Sequence, residues 1–487
     1  MIKFISSIWP ILPQLLIAIT ALMLLMTGVF QGKKNSSLIT YTAVLSLVAA
    51  SLATLAKPLH AGSFGFTGFL TQNLFTDYMQ ILILLTTAVV LLATHRQLEK
   101  DEMNRFEYPV LILLSCLGML FMVAANDFMM FFIGLELQSL AIYVLVAMRR
   151  NRVIVGEAAV KYFLLGILST VFILYGISFI YGFAGTTSFY GVSVGLETLQ
   201  WSNPLVFAMF LLMVGLAFKL SLAPFHMWAP DVYEGSPTVI TLFIASAPKV
   251  AALAFFVRLL NGPLSQYSDV WQPAVQVLAI ISMVVGVFGA LFQKNLKRLL
   301  AYSTIANMGY MMLGVASIGI EGIQSLIVYI VLYVIMTVGT FAFILNLRIN
   351  GEMIQNIDEL KGLSKDSPKM AMAFAILLFS LAGIPPLAGF FAKLLVFIAA
   401  INAGLYPLVI VAVLTTVVGA AYYLRIIKIM YFDKMDRDEK QKTYDLVISR
   451  ETAVILTIAA AFNVLFFFWP GPLILKAEDA AAVIFER

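Results

Sequence analysis

Gly215-Leu216-Ala217-Phe218-Lys219-Leu220-Ser221-Leu222-Ala223-Pro224-Phe225-His226 decides the fold. It closes an apolar run that starts near residue 203 and is long enough to cross a bilayer. A lysine stands five residues before a proline. Proline inside a helix removes a backbone hydrogen bond and clashes one turn back. Backbone freed at membrane depth is tolerated only in the protein interior or beside a water-filled cavity. A charge at the bilayer centre costs about 2.5–3.5 kcal/mol on insertion scales, and such residues mark ion or proton paths. The stretch therefore reads as a broken membrane helix carrying a buried functional charge.

The pattern recurs. Gly383-Ile384-Pro385-Pro386-Leu387-Ala388-Gly389 breaks a later run, and Lys393 lies seven residues after Pro386. A packing kink with a snorkelling lysine explains one such helix; two of them, each with a lysine, favour functional use. Lys249 follows Pro248 near the middle of another run, where snorkelling reaches least well. Leu222-Ala223-Pro224-Phe225 and Leu387-Ala388-Gly389-Phe390 are offset by 165 residues (387 − 222), and the same shift places Ser139 on Thr304 and Ala141 on Ala306. That offset covers five spans, an odd number, so a tandem unit of this length is inverted in the membrane.

Glu136 lies inside Phe132-Ile133-Gly134-Leu135-Glu136-Leu137-Gln138-Ser139. An unpaired carboxylate there protonates, so it is either a neutral hydrogen-bonding group or the partner of a buried lysine. A carboxylate about 7 Å from an ammonium, at an effective dielectric of about 20, stabilises the charged lysine by about 2.4 kcal/mol. Moving that carboxylate makes a proton switch. Lys161 stands four residues after Glu157, which suits either a local interfacial pair or a pathway role. His226 borders the polar loop 228–235 and either relays protons or caps that loop. Asp77 and Asp127 stand at span starts, as helix caps do.

The 487 residues are 61% hydrophobic and 12% charged, and soluble domains run near a quarter charged. Runs of about twenty apolar residues, without strand alternation, make the chain an all-α polytopic membrane protein. It has one cysteine and three histidines, and no GxGxxG or Walker loop. The chain offers no site for flavin, nicotinamide, haem or ATP, so an ion gradient or a partner subunit must drive it. Lipid surrounds it, and no nucleic acid is expected.

About fourteen spans are predicted, over residues 10–30, 37–56, 74–94, 108–124, 127–147, 159–182, 203–226, 238–260, 272–292, 299–317, 323–346, 370–400, 404–430 and 452–471. Only Ala125-Asn126 separates the fourth from the fifth. The N-terminal run lacks a small-residue cleavage site and reads as a retained helix. Loops after odd-numbered spans hold 22 Lys and Arg, the opposite face holds 5, and the four intramembrane lysines complete the 31. Cytoplasmic loops are the basic ones, so both termini are expected on the non-cytoplasmic side.

Phe218-Lys219-Leu220-Ser221-Leu222-Ala223-Pro224-Phe225-His226-Met227-Trp228-Ala229-Pro230-Asp231-Val232-Tyr233-Glu234-Gly235 resembles the signature of the antiporter-like subunits of respiratory complex I, in the form carried by the N-subunit group. Gly134-Leu135-Glu136-Leu137-Gln138-Ser139-Leu140, Lys161-Tyr162-Phe163-Leu164-Leu165-Gly166, Ala301-Tyr302-Ser303-Thr304-Ile305-Ala306 and Ala382–Lys393 support it. The resemblance covers roughly residues 70–430. It implies about fourteen transmembrane helices, two inverted five-helix repeats (spans 4–8 and 9–13) and broken helices at spans 7 and 12. It divides the chain at 1–107 (three helices), 108–261 and 262–431 (the two repeats), and 432–487 (cytoplasmic loop, last helix and tail). It implies proton translocation through Glu136, Lys219, Lys249 and Lys393, with Glu157, Lys161 and His226 as supporting relay residues. FMN, iron–sulfur clusters and quinone are expected in partner subunits, K- and M-type membrane subunits as neighbours, and a bacterial plasma membrane as the location. Under the 165 shift Glu136 and Lys219 fall on Ala301 and Ile384, so the second repeat is expected to be organised around Lys393 instead of a Glu–Lys pair. Two other readings stand beside this one: a subunit of a multisubunit cation/proton antiporter, and a structural membrane spacer whose charges pair internally.

Overall fold

The computed structural model describes residues 9–31, 36–56, 63–65, 68–101, 103–149, 151–197, 203–349, 351–433, 444–445 and 449–486. Lys3, Lys33, Lys34, Lys57, Arg150, Lys434, Arg437, Lys440, Lys442 and Arg487, all part of the basic-residue asymmetry, lie outside them.

Twelve helices among the described residues are long and apolar enough to cross a membrane. The two apolar half-helices Pro368–Ala382 and Ala388–Asn402, and the 16-residue helix Arg450–Leu465, stand where the two remaining spans are expected. The chain is a multi-pass membrane protein, and the expected spans are in place. Glu107–Ala124 and Phe128–Val146 are separate helices. Asp127 makes the division: its carboxylate accepts from the backbone N–H of Met129 at 2.7 Å and from Thr187 Oγ1 at 2.7 Å. That is the capping role its position implied. Asp77 lies in the first turn of Leu74–Lys100, whose cap is Asn73.

The seventh span is helical over Asn203–Leu220, turns at Ser221 and resumes as the short helix Trp228–Gly235. The polar segment 228–235 is therefore a helix, not a loop. The eighth span has a further interruption at Ser246, between Thr238–Ala245 and Ala247–Asn261. Pro248 lies in the first turn of its second half, where its missing N–H goes unmissed. Phe189–Glu197 and Gly471–Phe485 are helices that apolar runs do not reveal. The second holds Lys476, Glu478 and Asp479, too many charges for a span.

The chain forms two compact units. The first is Met1–Leu220, Ser246–Ala274 and Asp479–Arg487. The second is Ser221–Ala245 and Val275–Glu478. In the first, Val153–Ala184 and Asn203–Leu220 pack backbone to backbone. A Cβ at Gly176 would lie 2.8 Å from Ala208 O, and one at Gly215 would lie 2.7 Å from Ser169 O. Small residues at such contacts let membrane helices approach closely, and this contact fixes the helix that carries Lys219. In the second, Arg348–Ile349, Glu352–Met353 and Tyr444–Asp445 form a small antiparallel sheet.

Candidate functional site

In the first unit, Glu136, Ser139 and Tyr143 share one stripe of the helix Phe128–Val146, three and seven residues apart. Lys219 sits in the last turn of Asn203–Leu220. Its Nζ donates to Ser139 Oγ at 3.0 Å and to Tyr143 OH at 3.4 Å, and lies 5.8 Å from the Tyr143 ring centroid. Glu136 Oε1 accepts from Thr170 Oγ1 at 2.8 Å. No ion pair within 4.0 Å joins Lys219 to Glu136 among the described residues; Lys219 instead bonds Ser139 and Tyr143 on the helix that carries Glu136, and Glu136 bonds Thr170. Gly166 makes the room for Tyr143, because a Cβ there would overlap the phenol hydroxyl.

Lys249 is 1% exposed, and its Nζ donates to the carbonyl of Lys219 at 3.0 Å. That carbonyl is among the last four of its helix, which lack partners within the helix. In the second unit Lys393, 7% exposed, makes the corresponding contact. Its Nζ donates to Leu381 O at 3.1 Å and Ala382 O at 2.9 Å, the last carbonyls of Pro368–Ala382. It also lies 5.0 Å from the Tyr310 ring centroid. A helix C-terminus carries roughly half a negative charge, and a cation there gains about 0.3–2 kcal/mol. Each broken helix thus holds one buried ammonium on its cut end.

This geometry corrects the repeat register. The residue that leaves helical geometry with a positive φ is Ser221 (61°) at the first break and Gly383 (85°) at the second. They are 162 residues apart (383 − 221), not 165. In this register Lys219 maps onto Leu381, and their two carbonyls accept from Lys249 and Lys393 respectively. Lys393 therefore corresponds to Lys249 at the breaks, whereas the 165 shift set Lys219 against Ile384 and left Lys393 without a counterpart. The Leu-Ala-x-Phe match misleads because helix termination, not that tetrapeptide, sets the backbone geometry.

Lys161 pairs with Glu157 at 2.7 Å, on side chains 42% and 60% exposed, so this pair faces outward from the chain. His226 Nδ1 is buried without a hydrogen-bond partner, and its ring centroid lies 6.5 Å from that of Tyr302. No hydrogen bond or ion pair joins His226 to the buried lysines among the described residues.

The second unit also contains polar groups that sequence reading missed. Tyr333 OH donates to Thr304 Oγ1 at 3.0 Å and lies 3.3 Å from Ala245 O. Tyr329 OH donates to Asn307 Oδ1 at 2.8 Å, and Ser303 Oγ and Tyr423 OH are 2.5 Å apart. A cavity of about 10 Å³ is lined by Ser303, Thr304, Tyr333, Thr337, Thr340 and Leu381 among others. That is about the space one water needs, and the buried Thr340 hydroxyl has no protein partner. Arg298 Nη1 donates to Asp231 Oδ1 at 2.8 Å and to Glu234 Oε2 at 2.9 Å. Asp231 and Glu234 stand three residues apart, the spacing that puts both carboxylates on one face of a helix.

Residues 125–419 match the NADH:quinone oxidoreductase/Mrp antiporter transmembrane family. NADH-quinone oxidoreductase subunit N of Rhodospirillum rubrum is 43% identical over 477 residues, 98% of this chain and 97% of that protein. The subunit N of Pelagibacter ubique is 45% identical over 466 residues, 95% of this chain and 97% of that protein. Among solved structures, a chain of respiratory complex I from Thermus thermophilus aligns at a TM-score of 0.80 with 30% identity, covering 95% of this chain and 98% of that one. A chain of the Mrp complex from a Dietzia species aligns at 0.86 with 21% identity, covering 99% and 98%, which shows a shared fold. The chain belongs to the NADH:quinone oxidoreductase/Mrp antiporter transmembrane family, and within it to the subunit N group of NADH-quinone oxidoreductases.

Proposed function

We propose that this chain is a proton-translocating membrane subunit of an NADH:quinone oxidoreductase. The observation that carries this reading is the pair of buried ammonium groups, Lys249 and Lys393, each seated on the carbonyl end of an interrupted helix. A lysine so placed exchanges a proton without leaving an empty buried site, because the carbonyl dipole end remains. Glu136 and Lys219 form a relay in which Ser139 and Tyr143, on the Glu136 helix, hold the ammonium. When the carboxylate side is charged, the ammonium is favoured; when it is neutral, Lys219 releases its proton toward the next group. Lys249, on the carbonyl of Lys219, is the next acceptor, and Lys393 serves the second repeat. Glu157 and Lys161 supply or stabilise charge at an outer face, and His226 supports proton exchange near the first break.

The chain carries no redox centre in this reading; FMN, iron–sulfur clusters and quinone sit in partner subunits. Its neighbours are other membrane subunits of the complex, K- and M-type among them. It resides in a bacterial inner membrane with both termini on the non-cytoplasmic side. Its functional parts are 1–107, the repeats 108–261 and 262–431, and the tail region 432–487. The antiporter alternative is weaker, because the relatives at 40–45% identity are oxidoreductase subunits whereas the Mrp neighbour shares 21%. Lys219→Ala in the assembled complex tests the reading. NADH-driven proton uptake into inverted vesicles should fall while electron transfer to an artificial acceptor persists. Full proton uptake by an assembled variant would refute it.

A further inference from the structure

Ser380 lies in the last turn of Pro368–Ala382, and its hydroxyl bonds to both sides of a structural joint. Ser380 Oγ accepts from the backbone N–H of Gly389 at 2.9 Å, one of the unpaired donors that open Ala388–Asn402. It donates to Asn463 Oδ1 at 2.6 Å, and Met336 Sδ lies 3.1 Å from the same oxygen. Asn463 is 1% exposed, and its Nδ2 donates to Ala459 O at 2.8 Å, which fixes the amide's orientation. Asn463 belongs to Arg450–Leu465, the last span, outside both repeats.

The joint matters because Lys393 and its acceptors sit on opposite sides of it. Lys393 is carried by Ala388–Asn402, whereas Leu381 O and Ala382 O end Pro368–Ala382. The covalent link is the irregular segment 383–387. The halves also approach so closely that a Cβ at Gly389 would overlap the Ser380 carbonyl. The Ser380 hydroxyl is thus the polar fastening that keeps the ammonium over the carbonyls, and Asn463 orients that hydroxyl so that its lone pair faces Gly389.

We infer that Asn463, acting through Ser380, is a positioning residue for proton transfer at Lys393. The inference rests on the role proposed above for Lys393. In the intact complex in inverted vesicles, Asn463→Leu should lower protons moved per NADH oxidised by roughly three- to tenfold, the effect of one net hydrogen bond. NADH oxidation by an artificial acceptor should be unchanged. Asn463→Asp, which keeps an acceptor oxygen for Ser380, should restore most of the ratio, and Ser380→Ala should reproduce the loss. If Asn463→Leu does not assemble, Ser380→Ala against Ser380→Thr carries the same comparison. In a Lys393→Met background, Asn463→Leu should cost nothing more. Equal losses in the Leu and Asp variants, or a loss that adds to that of Lys393→Met, would make Asn463 a mere packing residue and overturn the inference. A normal ratio in Lys393→Met would remove the underlying reading instead. A defective Lys393→Met beside a normal Asn463→Leu and a normal Ser380→Ala would remove only the anchor.

Discussion

Gly383→Ala separates the placement of the Lys393 ammonium from its charge. A Cβ at position 383 would lie 2.9 Å from Lys393 Cδ and 3.3 Å from its Nζ. The lysine end is flexible, so it is the ammonium that shifts, away from Leu381 O at 3.1 Å and Ala382 O at 2.9 Å. Hydrogen bonds to charged groups contribute about 1.5–3 kcal/mol, so losing one of the two changes the population of the seated ammonium about ten- to a hundredfold. The substitution also forces a side chain to adopt φ 85°, at about 1–2 kcal/mol. Gly404→Ala supplies the control for that second effect, because its φ is 75° and a Cβ there meets nothing within 4 Å. Both variants should lower the thermal midpoint of the complex by similar amounts. Only Gly383→Ala should lower the protons moved per NADH, read as dye-reported acidification of inverted vesicles against NADH absorbance. Equal ratios in the two assembled variants would show that seating on the carbonyls does not matter.

Gly166→Ala should displace the Tyr143 hydroxyl from Lys219, and proton uptake should fall about as far as in Tyr143→Phe; uptake at the parental rate in both would exclude Tyr143 from the relay. Arg298→Met leaves Asp231 and Glu234 without their shared guanidinium. With all three side chains about one-third exposed, the expected loss is about 1 kcal/mol, read as a lower thermal midpoint without a change in protons per NADH. Reporter fusions should place both termini outside the cytoplasm and the 348–369 loop inside it; a cytoplasmic C-terminus would break the fourteen-span topology.

The spans were legible because membrane insertion depends on local hydropathy, which a sequence states directly. The breaks at 224 and 385–386 were legible because proline removes an amide donor wherever it falls. The interruption at Ser246 was less visible, since Pro248 also fits the first turn of an ordinary helix. The repeat register was misread by three residues because Leu-Ala-x-Phe recurs beside the breaks, whereas the left-handed residue that ends each helix is serine in one and glycine in the other. Glu136 and Lys219 were legible as charges out of place. That Lys219 bonds Ser139 and Tyr143 instead of Glu136 was not, because side-chain reach depends on helix packing, although the +3 and +7 spacing from Glu136 was a usable signal. Asn463 offered only a polar residue in an apolar run, which in membrane helices commonly means packing. The Arg298 fork depends on Asp231 and Glu234 standing on a helix, whereas the polarity of 228–235 reads as a loop.

If buried lysines seated on cut helix ends carry the proton, substitutions at Lys249 must separate proton transfer from fixed charge. The measurement is the ratio of protons moved to electrons transferred in vesicles holding the complete complex, for Lys249→Met and Lys249→Arg. Methionine keeps the side-chain length but neither donates to Lys219 O nor carries a proton. Arginine keeps the donor and the charge but does not release its proton. Both variants should lower the ratio, with assembly and electron transfer to an artificial acceptor retained. A parental ratio in Lys249→Arg would show that the fixed charge is enough and that Lys249 transfers no proton, which would contradict the claim.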